Sequence, residues 1–436
     1  MKRCLIGLYA AMACNAVSAF TVTDITARQR WPWTNVVDVD FTIGEANVAD
    51  TFRIEVKAQY AGADREIEAK TFVSDPVVKA GKGRVSWAIG EDCPGFKAED
   101  VRIAVTAVPF TSLTPVYMVI DLSEGKDAKS YPVRYTTKDP VHTPKAKDAC
   151  KMTQLWLRRI KADGTPFVIG SNKAPADDND SYYVKLTKDY YIGVFETTQQ
   201  QWYQMTGEMI SHLSNETWRA TRPVDNYYPS RLFSRDHYLW PDVKEPYEKS
   251  LLRKLRDKTG IATLNLPTES QWQYAACAGA TTTTFYLDSD GKEYSIDEIA
   301  RYSGNSGGAQ TGTDGLCDIN TGTACVGTYK PNAFGLYDML GNVTEDCIEP
   351  YVTFAKLKKY YIDKGYAFPL VDHEGIPRED VMALHSDGKV RATIRGGSYE
   401  NGKSYVTLWA RKDGYQNYAE DNAPCARGIR FCVTCE

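Results

Sequence analysis

Eleven cysteines, five histidines and one glycine-rich run ending in Lys-Ser are the side chains of this 436-residue chain whose types and spacing could do chemistry. The cysteines show neither a repeated C-x-x-C nor a Cys/His set at zinc-ligand spacing, so Cys432-x-x-Cys435 reads as a structural pair. His142, His212, His237, His373 and His385 include no H-x-x-x-H pair and read as surface or satisfied core groups. Gly397 to Ser404 fits the pattern G-x-x-x-x-G-K-[ST], whose amides cradle phosphates at a helix start. The residues that follow, Ser404 to Ala410, read instead as a strand, and no βαβ unit surrounds them. No nucleotide is expected. No H-E-x-x-H pair is present.

The compartment decides what the cysteines do. Met1-Lys2-Arg3, an apolar stretch from Cys4 to Ala16 and then Val17-Ser18-Ala19 form a secretory signal with cleavage after Ala19. Asn15 interrupts the apolar stretch, which is shorter than the ~20 residues a membrane span needs, and no later segment qualifies either. No integral membrane segment is expected, and the protein belongs outside the cytoplasm, secreted, periplasmic or at the cell surface. Small residues before Cys14 leave a lipoprotein form open, although Ala11 stands where such signals usually carry Leu. Removal of residues 1 to 19 leaves nine cysteines: Cys93, Cys150, Cys277, Cys317, Cys325, Cys347, Cys425, Cys432 and Cys435. Oxidising surroundings predict several disulfides, with Cys317 and Cys325 the best local pair, and the odd count leaves one thiol over.

The elements that position these groups fall into two parts. From Thr21 to Asp121 apolar residues alternate: Val37, Val39, Phe41, Ile43; Phe52, Ile54, Val56; Val85, Trp87, Ile89; Val101, Ile103, Val105. Turns rich in Gly, Asp and Pro separate them, which predicts an immunoglobulin-like β-sandwich over 20–135. Residues 136–149, polar and proline-bearing, read as a linker, and a second domain runs over 150–436. There, Thr198 with Gln201 and Thr268 with Gln271 have capping-box spacing ahead of Trp202 and Trp272, and Leu251, Leu252 and Leu255 predict a third helix ending at Gly260. Short helices, short strands and long loops make the class α+β. A formal charge of −4, with no basic stripe, excludes nucleic acid as a partner.

Six stretches of the second domain, in order, carry a resemblance: YYIGVFETTQQQW (Tyr190 to Trp202), RPVDN (Arg222 to Asn226), LPTESQWQYAACAGA (Leu266 to Ala280), PNAFGLYDMLGNVTED (Pro331 to Asp346), RGGSYENGKS (Arg395 to Ser404) and GIRF (Gly428 to Phe431). Together they resemble the formylglycine-generating enzyme family, the sulfatase-modifying factors. The resemblance implies a C-type-lectin-like fold with little regular secondary structure. It also implies two calcium sites. One falls on Asp338 and Glu345 through side chains and on Gly341 and Val343 through carbonyls, a donor set suited to a hard cation. The other falls on Asn305, Ser306, Asp314 and Leu316. Cys277 and Cys432 stand at or near the positions of a family disulfide, Cys432 one residue late.

Family catalysis uses two cysteines after the GGS motif to bind copper(I) and oxidise a substrate cysteine. Those positions here are Asn401 and Val406. Neither offers the soft sulfur a cuprous ion prefers, so copper is not expected. The resulting expectation is an exported family member without the copper pair, binding a peptide, glycan or protein ligand in a groove of Ser398, Tyr399, Asn401, Tyr405, Trp409 and Arg411. Two other readings stand beside it: a divergent oxidoreductase or protein-modifying enzyme acting on sulfatases or another protein, and a surface module whose sandwich mediates assembly.

Overall fold

The computed structural model describes residues 20–31, 34–60, 66–97, 101–144, 146–170, 181–211, 219–227, 229–233, 245–280, 283–288, 290–307, 322–384, 391–414 and 426–436. The chain divides into two compact units, Met1–Val119 with Val133–Asp139, and Ile120–Pro132 with Pro140–Glu436. The expected signal segment 1–19 lies outside the described residues. No helix among the described residues is long and apolar enough to cross a membrane.

In the first unit the alternation becomes antiparallel sheet, because a period of two puts every second side chain on one face. Val37–Gly44 pairs with Thr21–Gln29 on one side and Gly81–Trp87 on the other, while Thr51–Tyr60 pairs along its whole length with Val101–Pro109. Val39, Phe41, Ile54, Val56, Val85 and Trp87 from both sheets share one core. Ile89 departs from the expected strand. It opens a single helical turn, Ile89–Asp92, whose Asp92 carboxylate accepts the amides of Lys70 (2.7 Å) and Thr71 (2.9 Å) and the indole N–H of Trp87 (3.0 Å). One buried acceptor thereby closes the end of the sheet.

Three side chains of the stretch expected as a linker are hydrogen-bonded to their surroundings. Thr136 Oγ1 donates to the Lys70 carbonyl and Lys138 Nζ to Asp92 in the first unit, and His142 meets the Gly327 carbonyl in the second. Its first residue ends the strand Val133–Thr136 and its last opens the short helix Ala149–Met152.

The second unit is α+β. Tyr190–Gly193 lies between Gln154–Ile160 and Cys432–Thr434, and the latter also pairs with Leu264–Asn265. A second sheet places Ala392–Arg395 between Thr344–Pro350 and Arg411–Gly414, with Arg427–Gly428 parallel to Thr344–Pro350. Both capping boxes form, at Thr198 for helix Gln199–Thr206 and at Thr268 for helix Glu269–Cys277. Ser250 caps Leu251–Thr259, which ends on left-handed Gly260. Trp272, Leu336, Met339, Leu340, Val406 and Trp409 sit in its main core.

Two expectations change. Ser404 to Ala410 is not a strand: Lys403–Tyr405 is a 3-10 turn followed by bends, and strand resumes only at Arg411. The preceding glycines set this path, since both have positive φ and a Cβ on Gly397 would come 2.5 Å from the Tyr405 carbonyl oxygen. No α-helix follows the phosphate-loop pattern. The disulfides also change: Cys93, Cys150, Cys277, Cys325, Cys347 and Cys432 carry free thiols, so Cys277 and Cys432 are not bridged. Cys432 turns its sulfur to Gln271 Oε1, 3.6 Å away. Cys317, the expected partner of Cys325, and Cys425 lie outside the described residues.

Candidate functional site

The DMLGNVTED stretch leads from a turn into the strand Thr344–Pro350 and buries its acids almost completely. Such burial is costly unless each charge is paired or hydrogen-bonded. Glu345 is both. Its carboxylate takes Arg430 through Nη2 (2.6 Å) and Nε (3.0 Å to each oxygen), and Oε2 accepts the indole N–H of Trp272 at 2.8 Å. Glu196, from the strand end after Gly193, accepts the Asn342 side-chain amide (2.6 Å) and the Val343 backbone amide (3.0 Å). Burial, then the charges of Asp338 and Glu345, hold Glu196 well above the usual carboxylate range.

Asp338 is the incomplete member. Oδ2 accepts the Gly327 amide at 2.6 Å, but Oδ1 is buried with no partner. Burial pushes this carboxyl up to about 6. An orphaned buried oxygen is what a hard cation would satisfy, so Asp338 fits the calcium expectation. Glu345 does not fit as placed, because Arg430 and Trp272 occupy both its oxygens. Among the described residues no three His, Cys, Asp or Glu side chains converge as metal ligands.

The second expected calcium set is described only in part. Asn305 folds its side chain back, accepting from the Tyr302 amide and donating to the Ala300 carbonyl, both at 2.9 Å. The Ser306 carbonyl accepts the Gly322 amide at 3.2 Å, and its hydroxyl is buried without a partner. Asp314 and Leu316 lie outside the described residues.

The GGS turn decides the expected groove. Asn401 Oδ1 accepts from both the amide (2.9 Å) and the hydroxyl (3.0 Å) of Ser398, closing a four-residue turn. Val406 is 0% exposed, in the core that also holds Leu408 and Trp409. Ser398 and Tyr399 are buried, and Trp409 is held by its indole N–H on the Thr283 carbonyl at 2.7 Å. Arg411 makes a two-toothed pair with Glu269 (2.6 and 2.9 Å) and covers the rings of Tyr351 and Phe354. Of the six expected groove residues, only Asn401 in part and Tyr405, 46% exposed, reach the surface. Arg411 is buried here because it is paired, and the aromatic rings are buried as core.

Arg430, Trp272 and Glu196 were not singled out from sequence as site residues. The signal was available, an arginine inside the apolar run Ile429 to Val433 and a glutamate three residues past the strand Tyr190–Gly193, after Val194 and Phe195, since a charge at such a place requires a buried partner.

The model of the sulfatase-modifying factor enzyme 1-like domain matches residues 159–433. This chain belongs to that family. The formylglycine-generating enzyme of Mycobacterium tuberculosis (strain ATCC 25618 / H37Rv) is 38% identical over 168 residues, 38% of this chain and 50% of that protein. The chaperone protein LppX of Paenibacillus barcinonensis is 28% identical over 177 residues, 37% of this chain and 62% of that one. The mouse formylglycine-generating enzyme is 27% identical over 162 residues, 36% of each chain. The matches thus span between about a third and three fifths of these relatives. Among solved structures, Treponema denticola variable protein 1 is similar over 64% of this chain and 95% of its own, at 20% identity and a TM-score of 0.42. PvdO from Pseudomonas aeruginosa is similar over 68% and 100%, at 20% identity and a TM-score of 0.38.

Proposed function

We propose that this chain is an exported member of the sulfatase-modifying factor family that binds a protein ligand and does not make formylglycine. One observation carries the reading. Where the family's copper-binding cysteines align, Asn401 is committed to Ser398 and Val406 is sealed in the core. A cuprous site needs soft, deprotonated sulfur. The thiols of the same core are no substitute, since burial pushes Cys277 up to about 12 and holds Cys347 and Cys432 well above the ordinary thiol range.

A protein ligand, rather than a peptide fragment or glycan, agrees with the chaperone name of one relative, a role that calls for binding and no redox metal. Asn401, Lys403 and Tyr405 are the part of the GGS turn open to such a partner. Calcium belongs to the same reading: Asp338 and the carbonyls of Gly341 and Val343 would hold it as a structural ion, and Glu345 joins only by releasing Arg430. The N-terminal two-sheet unit is, in this reading, an immunoglobulin-like module.

The test restores what is missing. Anaerobic titration with copper(I) should show no thiolate-to-copper absorption for the native chain, and Asn401→Cys with Val406→Cys should create it. Tight copper(I) binding by the native chain, lost when one of its own cysteines becomes Ser, would transfer the site to that residue and favour a divergent enzyme.

A further inference from the structure

Away from the GGS turn, the second unit packs an aromatic cluster on the helix Phe354–Asp363. Tyr361 is its centre: the rings of Tyr360, Tyr366, Tyr182 and Phe368 lie 5.4, 5.6, 5.8 and 6.4 Å from it, and that of His373 lies 4.8 Å away, edge to face. His373 comes from the turn between the strand Leu370–Val371 and the helix Arg378–Leu384. The residue is half-buried, and both its ring nitrogens are engaged. Nδ1 stands 2.6 Å from the Gly375 amide, and Nε2 meets the Tyr361 hydroxyl.

Those two contacts specify one protonation state. An amide N–H can only donate, so Nδ1 accepts and carries no proton, and the neutral ring keeps its proton on Nε2 and donates it to Tyr361. A second proton would go to Nδ1, where it would point at the Gly375 N–H. The seated ring therefore excludes the imidazolium. Among the described residues no acid bonds the ring to offset such a charge. Asp372 is spent on the Thr187 amide (2.7 Å) and hydroxyl, while Asp380 accepts the Tyr360 hydroxyl at 2.7 Å and has Lys364 3.6 Å away. Glu374 is exposed. Glu349, whose charge is felt at Tyr361, is pushed by burial up to about 8 and is uncharged in acid. Burial also holds the Tyr361 hydroxyl above the ordinary phenol range, so it stays neutral. Packing takes the His373 ring out of water and pushes it down from 6.5 to about 4.

We propose that His373 is an acid-released catch: its neutral ring fastens the turn 372–376 to Tyr361, and its protonation unseats the ring and uncovers the Tyr361 edge of the aromatic cluster while the unit stays folded. The flanks of the turn are held independently. Asp372 has Thr187 and donates its amide to the Lys185 carbonyl (2.8 Å), Ile376 is buried, and the following helix keeps Tyr360 on Asp380 and Lys356 Nζ on the Leu384 carbonyl (2.7 Å). Acid thus frees only His373 to Gly375, a local opening far cheaper than global unfolding. The free ring binds its proton near 6.5 and the seated ring near 4, so closure is full above about pH 6.5 and is lost as pH falls towards 4.

The Gly375 amide reports the catch directly, because its acceptor is Nδ1. Its hydrogen-exchange protection, read by NMR and corrected for intrinsic pH dependence, should fall about a hundredfold between pH 7 and pH 4 while the helix Leu251–Thr259 keeps its own. His373→Gln retains an acceptor and a donor without a titrating ring, so there Gly375 should be equally protected at both pH values. Protection of Gly375 that ignores pH in the native chain, falls as much in His373→Gln, or falls only together with the reference helix would overturn the proposal. If His373→Gln leaves Gly375 unprotected throughout, the native imidazole decides: titration of His373 near 4, in step with Gly375, supports the catch, and titration at the ordinary value of about 6.5 overturns it.

Discussion

The two units solve burial in opposite ways. The first fills its interior with alternating apolar side chains, Val39, Phe41, Ile54, Val56 and Val85, and its few buried polar residues, such as Asp38 and Ser86, bond to neighbours in the same sheet. The second carries Arg395, Arg411, Arg427 and Arg430 at 5% exposure or less. Arg411 faces Glu269, Arg427 faces Asp346 at 2.6 and 2.9 Å, and Arg430 faces Glu345. A hydrophobic core is redundant, because each residue contributes a small, graded amount of area. A buried ion pair is not, because removing one partner leaves a charge with nothing to replace water.

That contrast predicts its largest effect at Arg430. Arg430→Ala strands Glu345 and should cost about 3–5 kcal/mol in denaturant unfolding, whereas Arg430→Met with Glu345→Leu should recover part of the loss by replacing both charges. A cost under about 1 kcal/mol for the single change would remove the distinction between the units.

An intermediate effect is expected from Glu349, whose Oε2 accepts the Glu269 amide at 2.7 Å. Burial, and then the Glu269 charge, push it up to about 8, above the ~4.3 of an unfolded glutamate. The folded chain keeps a proton that the unfolded chain gives up across that window. This group's contribution is therefore full below about pH 4.3, declines as pH rises towards 8 and is flat beyond. Relative to Glu349→Gln, the native chain should lose stability between about pH 5 and 8, and parallel stability curves would refute the assignment.

The smallest effect belongs to the first unit. Ile54→Val removes one methylene from a well-packed sheet interface and should cost about 0.5–1.5 kcal/mol, measured by the same unfolding experiment. A larger loss than Arg430→Ala would reverse the comparison.

The same difference explains what was legible in the sequence. Strands at Val37–Gly44 and Thr51–Tyr60 follow from a period that local residues state several times over. Helices Gln199–Thr206 and Glu269–Cys277 follow from caps three residues long, although the second ends on left-handed Ala278 where a glycine would be expected. The pairing of Glu345 with Arg430 spans 85 residues and that of Glu345 with Trp272 spans 73, so no window of sequence contains either. The path after Gly397 departs from the expected strand for a related reason: the turn is set by two positive-φ glycines and by the burial of Val406. The motifs direct attention to the GGS turn. The accessibility of that turn is not legible in them, because burial of Trp409 and Arg411 depends on partners at Thr283 and Glu269 far along the chain.

The most direct test of the central claim is aldehyde formation. The protein, incubated with copper, a thiol reductant, oxygen and a Cys-x-Pro-x-Arg peptide, should leave the peptide cysteine unchanged by mass spectrometry and by hydrazide capture. Conversion of that cysteine to formylglycine, with turnover abolished when one native cysteine is replaced by Ser, would contradict the account and make this chain an enzyme of its family.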